Sequence, residues 1–159
     1  MLKLTKKADY GLIALTHLAA HRRQRSASAK EIAERYNIPL PLLSKVLQRL
    51  ARTGILAAEQ GTKGGYRLAR DPDRISALEV IKAIDGPLAL ASCFADREEC
   101  HQSEHCTVRE PLRKVHEGIL NLLSGISITD ITSEEPAAGW EKPKVLYSVG
   151  RQTQVLTNS

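Results

Sequence analysis

Two prolines in the pentapeptide NIPLP, residues 37–41, limit this chain's fold more than any other feature. A proline inside a helix removes a backbone donor and clashes with the preceding turn. NIPLP therefore splits one apolar, periodic stretch into two short helices. The first follows Ser28, whose pairing with Glu31 three residues later is a capping box, and it ends near Tyr36. The second runs from Pro41, a residue suited to a first helical turn, to Thr53, with Gly54 as a C-terminal glycine stop. Its periodicity turns Leu43, Val46, Leu47 and Leu50 inward, and Ser44, Lys45, Gln48, Arg49 and Arg52 outward.

This is the layout of a helix-turn-helix, whose second helix enters the major groove. An ordinary helical hairpin packed for stability has the same pattern, and the next segment separates the two. ILAAE and YRLAR are strand-like runs on either side of QGTKGG, and Lys63, Arg67 and Arg70 put positive charge on and beside the tip. A basic, glycine-rich hairpin after a helix-turn-helix is a winged-helix pattern. The predicted fold is mostly α: a winged helix-turn-helix DNA-binding domain over residues 1–90. The helix opening at Pro41 is the expected reader, with Ser44, Lys45, Gln48 and Arg49 on its outer face toward base edges. Ser28, Lys63, Gly64, Gly65 and Arg67 are the expected contacts to phosphates or the minor groove.

Charge supports a polyanion partner. Residues 1–70 hold 14 Lys/Arg against 4 Asp/Glu, a net of +10, and residues 71–159 hold 9 against 14, a net of −5. A solvated basic face, or an adaptor that binds RNA or an acidic partner, carries the same signal. Ahead of the helix-turn-helix, Ala8, Leu12, Leu15 and Leu18, widened by Ile13 and Ala19, predict a helix over 6–21. No segment reads as a membrane span or a secretory signal, which points to a cytoplasmic protein. There is no arrangement of nucleophile, base and acid, and no phosphate-binding loop, to indicate an enzyme.

Beyond the wing, Ser76 with Glu79 forms a second capping-box pattern, and Gly86–Pro87 stops that helix. After Cys106, the residues Val108, Leu112, Val115, Ile119 and Leu122 recur at spacings of 4, 3, 4 and 3, a heptad seam. Two heptads are too few for an independent coiled coil, but they suffice for a helix that packs on a partner helix. Residues 108–131 are expected to be a dimerisation helix with a short terminal helix. Residues 132–159 lack a sustained period and are expected to be a disordered tail.

All three cysteines lie in residues 91–107, as CFADREECHQSEHC from Cys93 to Cys106. In a reducing compartment, clustered thiols are more often metal ligands or redox groups than disulfides. Three soft thiolates within 14 residues can converge on one centre. The paired CxxC spacing of a zinc knuckle is absent, and wider loops can wrap a bulkier cluster. His101, His105, His116 or a carboxylate are the available fourth ligands. A thiol switch without metal remains open beside these.

Taken together, LTKKADYGLIAL, ASAKEIAERYNIPLPLLSKVLQRLARTGIL, the wing GTKGGYRLAR, EVIKAIDGPL and the three-cysteine loop resemble the Rrf-two family of bacterial winged-helix regulators of the IscR and NsrR type. The likeness is greatest to the regulators of SUF iron–sulfur assembly and covers about residues 1–130. It implies a homodimer on a palindromic promoter site, usually as a repressor. It also implies an iron–sulfur cluster, 2Fe-2S or 4Fe-4S, held by Cys93, Cys100 and Cys106. The chain departs from the pattern in two places. Arg109 occupies the position of the IscR-type fourth ligand, and the first gap between cysteines is one residue longer than usual. In nitric-oxide-sensing relatives the partner subunit supplies an aspartate near the N-terminus. Asp9 stands at the matching position, ahead of His105 and His101 as the expected fourth ligand.

Overall fold

A computed structural model describes residues 4–23, 26–62, 64–94 and 105–133. Helix α1 spans Lys6–Ala20, α2 Ala29–Tyr36 and α3 Leu40–Arg52. Strands β1 (Leu56–Glu59) and β2 (Gly65–Leu68) follow, then α4 (Ala77–Asp85), α5 (Arg109–Gly125) and α6 (Ile128–Thr132). Short 3₁₀ turns occur at Pro72–Arg74 and Ser92–Phe94. The mostly helical prediction holds.

The helix-turn-helix forms as its sequence dictates. Ser28 Oγ accepts from the Glu31 amide at 3.2 Å, and the Glu31 carboxylate accepts from the Ser28 amide at 2.7 Å, closing the capping box. Asn37 ends α2 in the left-handed conformation (φ 52°), and the Ile38 amide reaches back to the Ala33 carbonyl at 2.9 Å. Helix α3 starts at Leu40, one residue earlier than the prolines imply, with Pro39 as its N-cap. Pro41 is accommodated because first-turn amides have no intrahelical acceptor to lose. Leu43, Val46, Leu47 and Leu50 are all buried, as predicted.

Helix α1 is the centre of the fold and packs against α3, α4, α6 and β2. Its buried face includes Gly11, Ala14 and His17, which the apolar stripe did not mark, while Leu12 and Ile13 are only half-buried. Gly11 is required where it stands. A Cβ there would lie 2.3 Å from Ile84 Cδ1 of α4 and 3.4 Å from Val46 Cγ1 of α3. Three helices meet at that point because one of them lacks a side chain.

The second capping box is only half made. Ser76 Oγ accepts from the Glu79 amide at 3.2 Å, but the Glu79 carboxylate is held instead by Arg70. A tertiary ion pair has taken the carboxylate that local sequence assigned to the cap. A complete box forms at Ser127 and Asp130, at the start of α6. There the Ser127 hydroxyl and amide hold the Asp130 carboxyl below its ordinary range. The chain then returns to the body: the Ala77 amide donates to the Ile126 carbonyl at 2.8 Å, and the Ile128 amide to the Ile75 carbonyl at 2.9 Å. Ile128 is fully buried. No helix among the described residues is long and apolar enough to cross a membrane.

Candidate nucleic-acid interface and cysteine loop

The outer face of α3 is open. Pro41, Lys45, Gln48 and Arg49 are exposed and Ser44 is half-buried. Lys45 and Arg49 form no ion pair among the described residues. Cations left without carboxylates are available to phosphates and base edges at no exchange cost. The helix that buries Leu43 and Leu47 therefore presents uncompensated positive charge on its other side.

The wing is built differently. β1 and β2 pair antiparallel, Leu56 opposite Leu68 and Glu59 opposite Gly65. Ala27 extends the sheet by bridging Tyr66: the Ala27 amide donates to the Tyr66 carbonyl at 3.0 Å, and the Tyr66 amide to the Ala27 carbonyl at 2.8 Å. Gly65 permits this. A Cβ on it would sit 2.5 Å from the Ala27 carbonyl oxygen. The close backbone approach that Gly65 allows is thus made to the chain itself. The Gly64 amide donates to the Gly61 carbonyl at 2.9 Å in the tip, and Lys63 lies outside the described residues. Arg67 is exposed but pairs with Glu59 at 2.9 Å. Ser28 is half-buried, its amide and hydroxyl oxygen committed to the α2 cap.

Of the cysteine loop, the described part is its two ends. Cys93 lies in the turn Ser92–Phe94 and Cys106 lies just before α5. Both are half-buried free thiols. Cys100 and His101 lie outside the described residues. The loop's first end is fastened to α5 by ring stacking: Phe94 lies 5.1 Å from His116, the planes 9° apart. His105 is exposed. Asp9, in the first turn of α1, faces Lys6 at 3.8 Å. Among the described residues no group of three His, Cys, Asp or Glu side chains could hold a metal ion. The donor chemistry still fits an iron–sulfur group, since two of the three soft thiols stand free of disulfides and partly accessible at the ends of one loop.

Helix α5 buries none of its residues. Val108, Val115 and Leu122 are 55%, 52% and 51% exposed. Three of the five seam positions thus face outward together.

A two-helix reader with an open cationic face, a three-segment wing and a trailing helix define a winged-helix DNA-binding protein. The chain belongs to the Rrf2 family, described as "Iron-dependent Transcriptional regulator", which it matches over residues 4–134. It is 30% identical over 134 residues to the HTH-type transcriptional regulator IscR of Xenorhabdus nematophila, covering 84% of this chain and 81% of that protein. Among solved structures it resembles CymR, the global cysteine regulator of B. subtilis, with a TM-score of 0.70 and 27% identity over 85% of this chain and 99% of that one. It also resembles IscR of T. potens, with a TM-score of 0.64 and 26% identity over 89% of this chain and 93% of that one. The chain is a DNA-binding transcriptional regulator rather than an enzyme.

Proposed function

We propose that this regulator senses an iron–sulfur cluster. In this reading it acts as a cytoplasmic homodimer on a palindromic promoter site, repressing cluster-assembly or stress genes. The observation that carries the reading is the position of Cys93 and Cys106, free thiols at either end of the loop that feeds α5. Relatives named IscR and the family's iron-dependent description support it. Cys93, Cys100 and Cys106 would hold the group, with Asp9 of the partner subunit ahead of His105 as fourth ligand. Bound there, the group supplies a redox- and ligand-sensitive cross-link between the loop's ends.

The chain's own part follows from its connections. The Phe94–His116 stack passes a change in the loop to the N-terminal half of α5. If two α5 helices pair through Val108, Val115 and Leu122, such a change alters the spacing of the two reading heads. Half-sites lie about 34–36 Å apart, so a shift in spacing changes affinity. On DNA, α3 would read bases through Ser44, Lys45, Gln48 and Arg49 beside Pro41. Ser28 and the wing residues Lys63, Gly64, Gly65 and Arg67 would face the backbone or minor groove, Arg67 after exchanging Glu59 for a phosphate.

A thiol switch without metal is the second reading. It would use Cys93 and Cys106, free thiols at the two ends of the loop. One experiment separates the two. Protein purified anaerobically without chelators is assayed for iron, sulfide and visible absorbance, beside the Cys93→Ala/Cys100→Ala/Cys106→Ala variant, and both are tested for operator affinity. Cluster sensing predicts matching iron and sulfide in the wild type only, and a different affinity for the variant. Colourless wild type after anaerobic reconstitution, or equal operator affinity, would sink it. Colourless protein whose affinity responds to thiol oxidants would establish the thiol switch.

A further inference from the structure

Four cations rim one hollow between α1, α3 and α4: Lys7 from α1, and Lys45, Arg49 and Arg52 from α3. The hollow measures about 510 Å³, and Val46 and Ile84 form part of its apolar floor. None of the four makes an ion pair among the described residues. Six cations elsewhere are paired, Lys6 on Asp9, Arg22 on Asp71, Lys30 on Glu34, Arg67 on Glu59, Arg70 on Glu79 and Arg113 on Glu110, while others such as Lys82 and Lys114 make no ion pair among the described residues but stand outside the hollow. Two acids on the flanking helices are turned to other partners. The Asp85 carboxylate, next to Ile84, accepts from the Thr5 hydroxyl at 2.7 and 2.9 Å, and Asp9 faces Lys6.

Like charges gathered around an apolar hollow repel one another, and an anion that enters relieves the repulsion. Lys45 and Arg49 belong to the reading face described above. Lys7 and Arg52 stand apart from it, Lys7 on another helix and Arg52 one turn further along α3. A helix in the major groove is flanked by sugar-phosphate strands, so cations beside its reading face meet phosphates rather than bases. We propose that Lys7 and Arg52 seat a backbone phosphate of the operator at this hollow, tying α1 and α3 to the same DNA strand. The proposal rests on the DNA-reading role of α3.

The test is the salt dependence of DNA binding by the full-length protein. Affinities for the operator and for an unrelated duplex are measured between about 50 and 200 mM salt, the range over which phosphate contacts dominate the change. Each phosphate contact contributes about 0.9 to the slope of log affinity against log salt. Lys7→Gln and Arg52→Gln are each expected to flatten the slope by about that amount. Both should weaken the two duplexes alike, by about tenfold at low salt. Lys7→Arg should restore the slope. Lys82→Gln, which removes an exposed cation of α4 outside the hollow with no ion pair among the described residues, should leave it unchanged. Wild-type slopes in both Lys7→Gln and Arg52→Gln would overturn the proposal. So would an equal flattening in Lys82→Gln, which would make the effect one of net charge. A wild type that fails to prefer the operator would refute base reading by α3 instead, and the slope on the unrelated duplex would still decide the phosphate seat.

Discussion

Helices α3 and α5 are written in the same grammar and end in opposite circumstances. Each has apolar residues at helical spacing on one side and charge on the other. In α3, Leu43, Leu47 and Leu50 are fully buried and Val46 nearly so, while the cations opposite pair with no carboxylate among the described residues. In α5 no residue is buried and three seam positions are about half-exposed. On its polar side, by contrast, three charges are paired within the helix. Arg113 pairs with both Glu110 and Glu117, and the guanidinium holds the Glu110 carboxyl below its usual range. One helix has its apolar face met inside the chain and its cations open, and the other leaves its apolar face open and pairs part of its charge within itself. Periodicity reveals a face that must be covered; only the packing reveals whether the chain itself covers it. The open charged face suits a polyanion, and the open apolar face suits the second α5 of the proposed dimer.

The largest test of this contrast removes a side chain from the covered face. Leu47 is fully buried in the main core, and Leu47→Ala should lower stability by about 2–5 kcal/mol through lost transfer energy and the cavity left behind. Denaturant unfolding measures it. A loss below about 1 kcal/mol would mean that the α3 face is less completely covered than its burial indicates. On α5 the expected response differs in kind. Val115→Glu with Leu122→Glu should raise the dimer dissociation constant by roughly a hundredfold, about 3 kcal/mol, by placing like charges across the seam. The unfolding transition of the dilute monomer should stay where it was. Sedimentation equilibrium reads the first effect and thermal unfolding the second. An unchanged dissociation constant would remove α5 as the interface, and a collapsed monomer would mean that the seam is covered within the chain.

The contrast also explains which parts of the molecule could be read from sequence. The helix-turn-helix was legible because its signals are local: prolines, the Ser28–Glu31 box and a leucine stripe agree over a few turns. The buried face of α1 was legible in part: Ala8, Leu15 and Leu18 are buried as their spacing indicates, while Gly11, Ala14 and His17 share that face by close approach, outside the stripe. The Ser76–Glu79 box failed because Arg70, distant from the cap in function though near in sequence, captured the carboxylate. The wing hairpin was legible from its glycines, but the pairing of Ala27 with Tyr66 beside Gly65 was not, because it joins segments far apart in the sequence. Within the candidate site, the outer face of α3 was legible for the same reason its inner face was. The contribution of Lys7 was not, since three helices from separate parts of the sequence create the hollow it rims. Whether three cysteines converge depends on Cys100, outside the described residues, so their pattern carried that expectation alone.

The smallest expected effect concerns protons and distinguishes the body from α5 again. Among the described residues His17 is the one buried polar or charged residue, 7% exposed. It lies at the join of α1 and α2: Nδ1 is 3.1 Å from the Tyr36 hydroxyl, and the ring stacks on His21 at 4.3 Å. Burial, then His21 and Arg35, lower its pKa from the ordinary 6.5, with Glu31 opposing them. The folded state therefore disfavours the charged imidazole. Above pH 6.5 both states hold neutral His17, and its contribution to stability is fully present. Below that value the unfolded chain takes up a proton that the folded chain resists. Stability then falls with pH, and the contribution is lost as pH drops through the depressed folded value. Between about pH 5 and 6.5 carboxylates are mostly ionised in both states, so the window isolates histidine. His17→Phe, which keeps the ring and removes the titration, should flatten the pH dependence of unfolding there. It should leave the α5 dissociation constant at neutral pH unchanged. If His17→Phe retained the wild-type slope between pH 5 and 6.5, the pH sensitivity would have to originate outside the α1–α2 join.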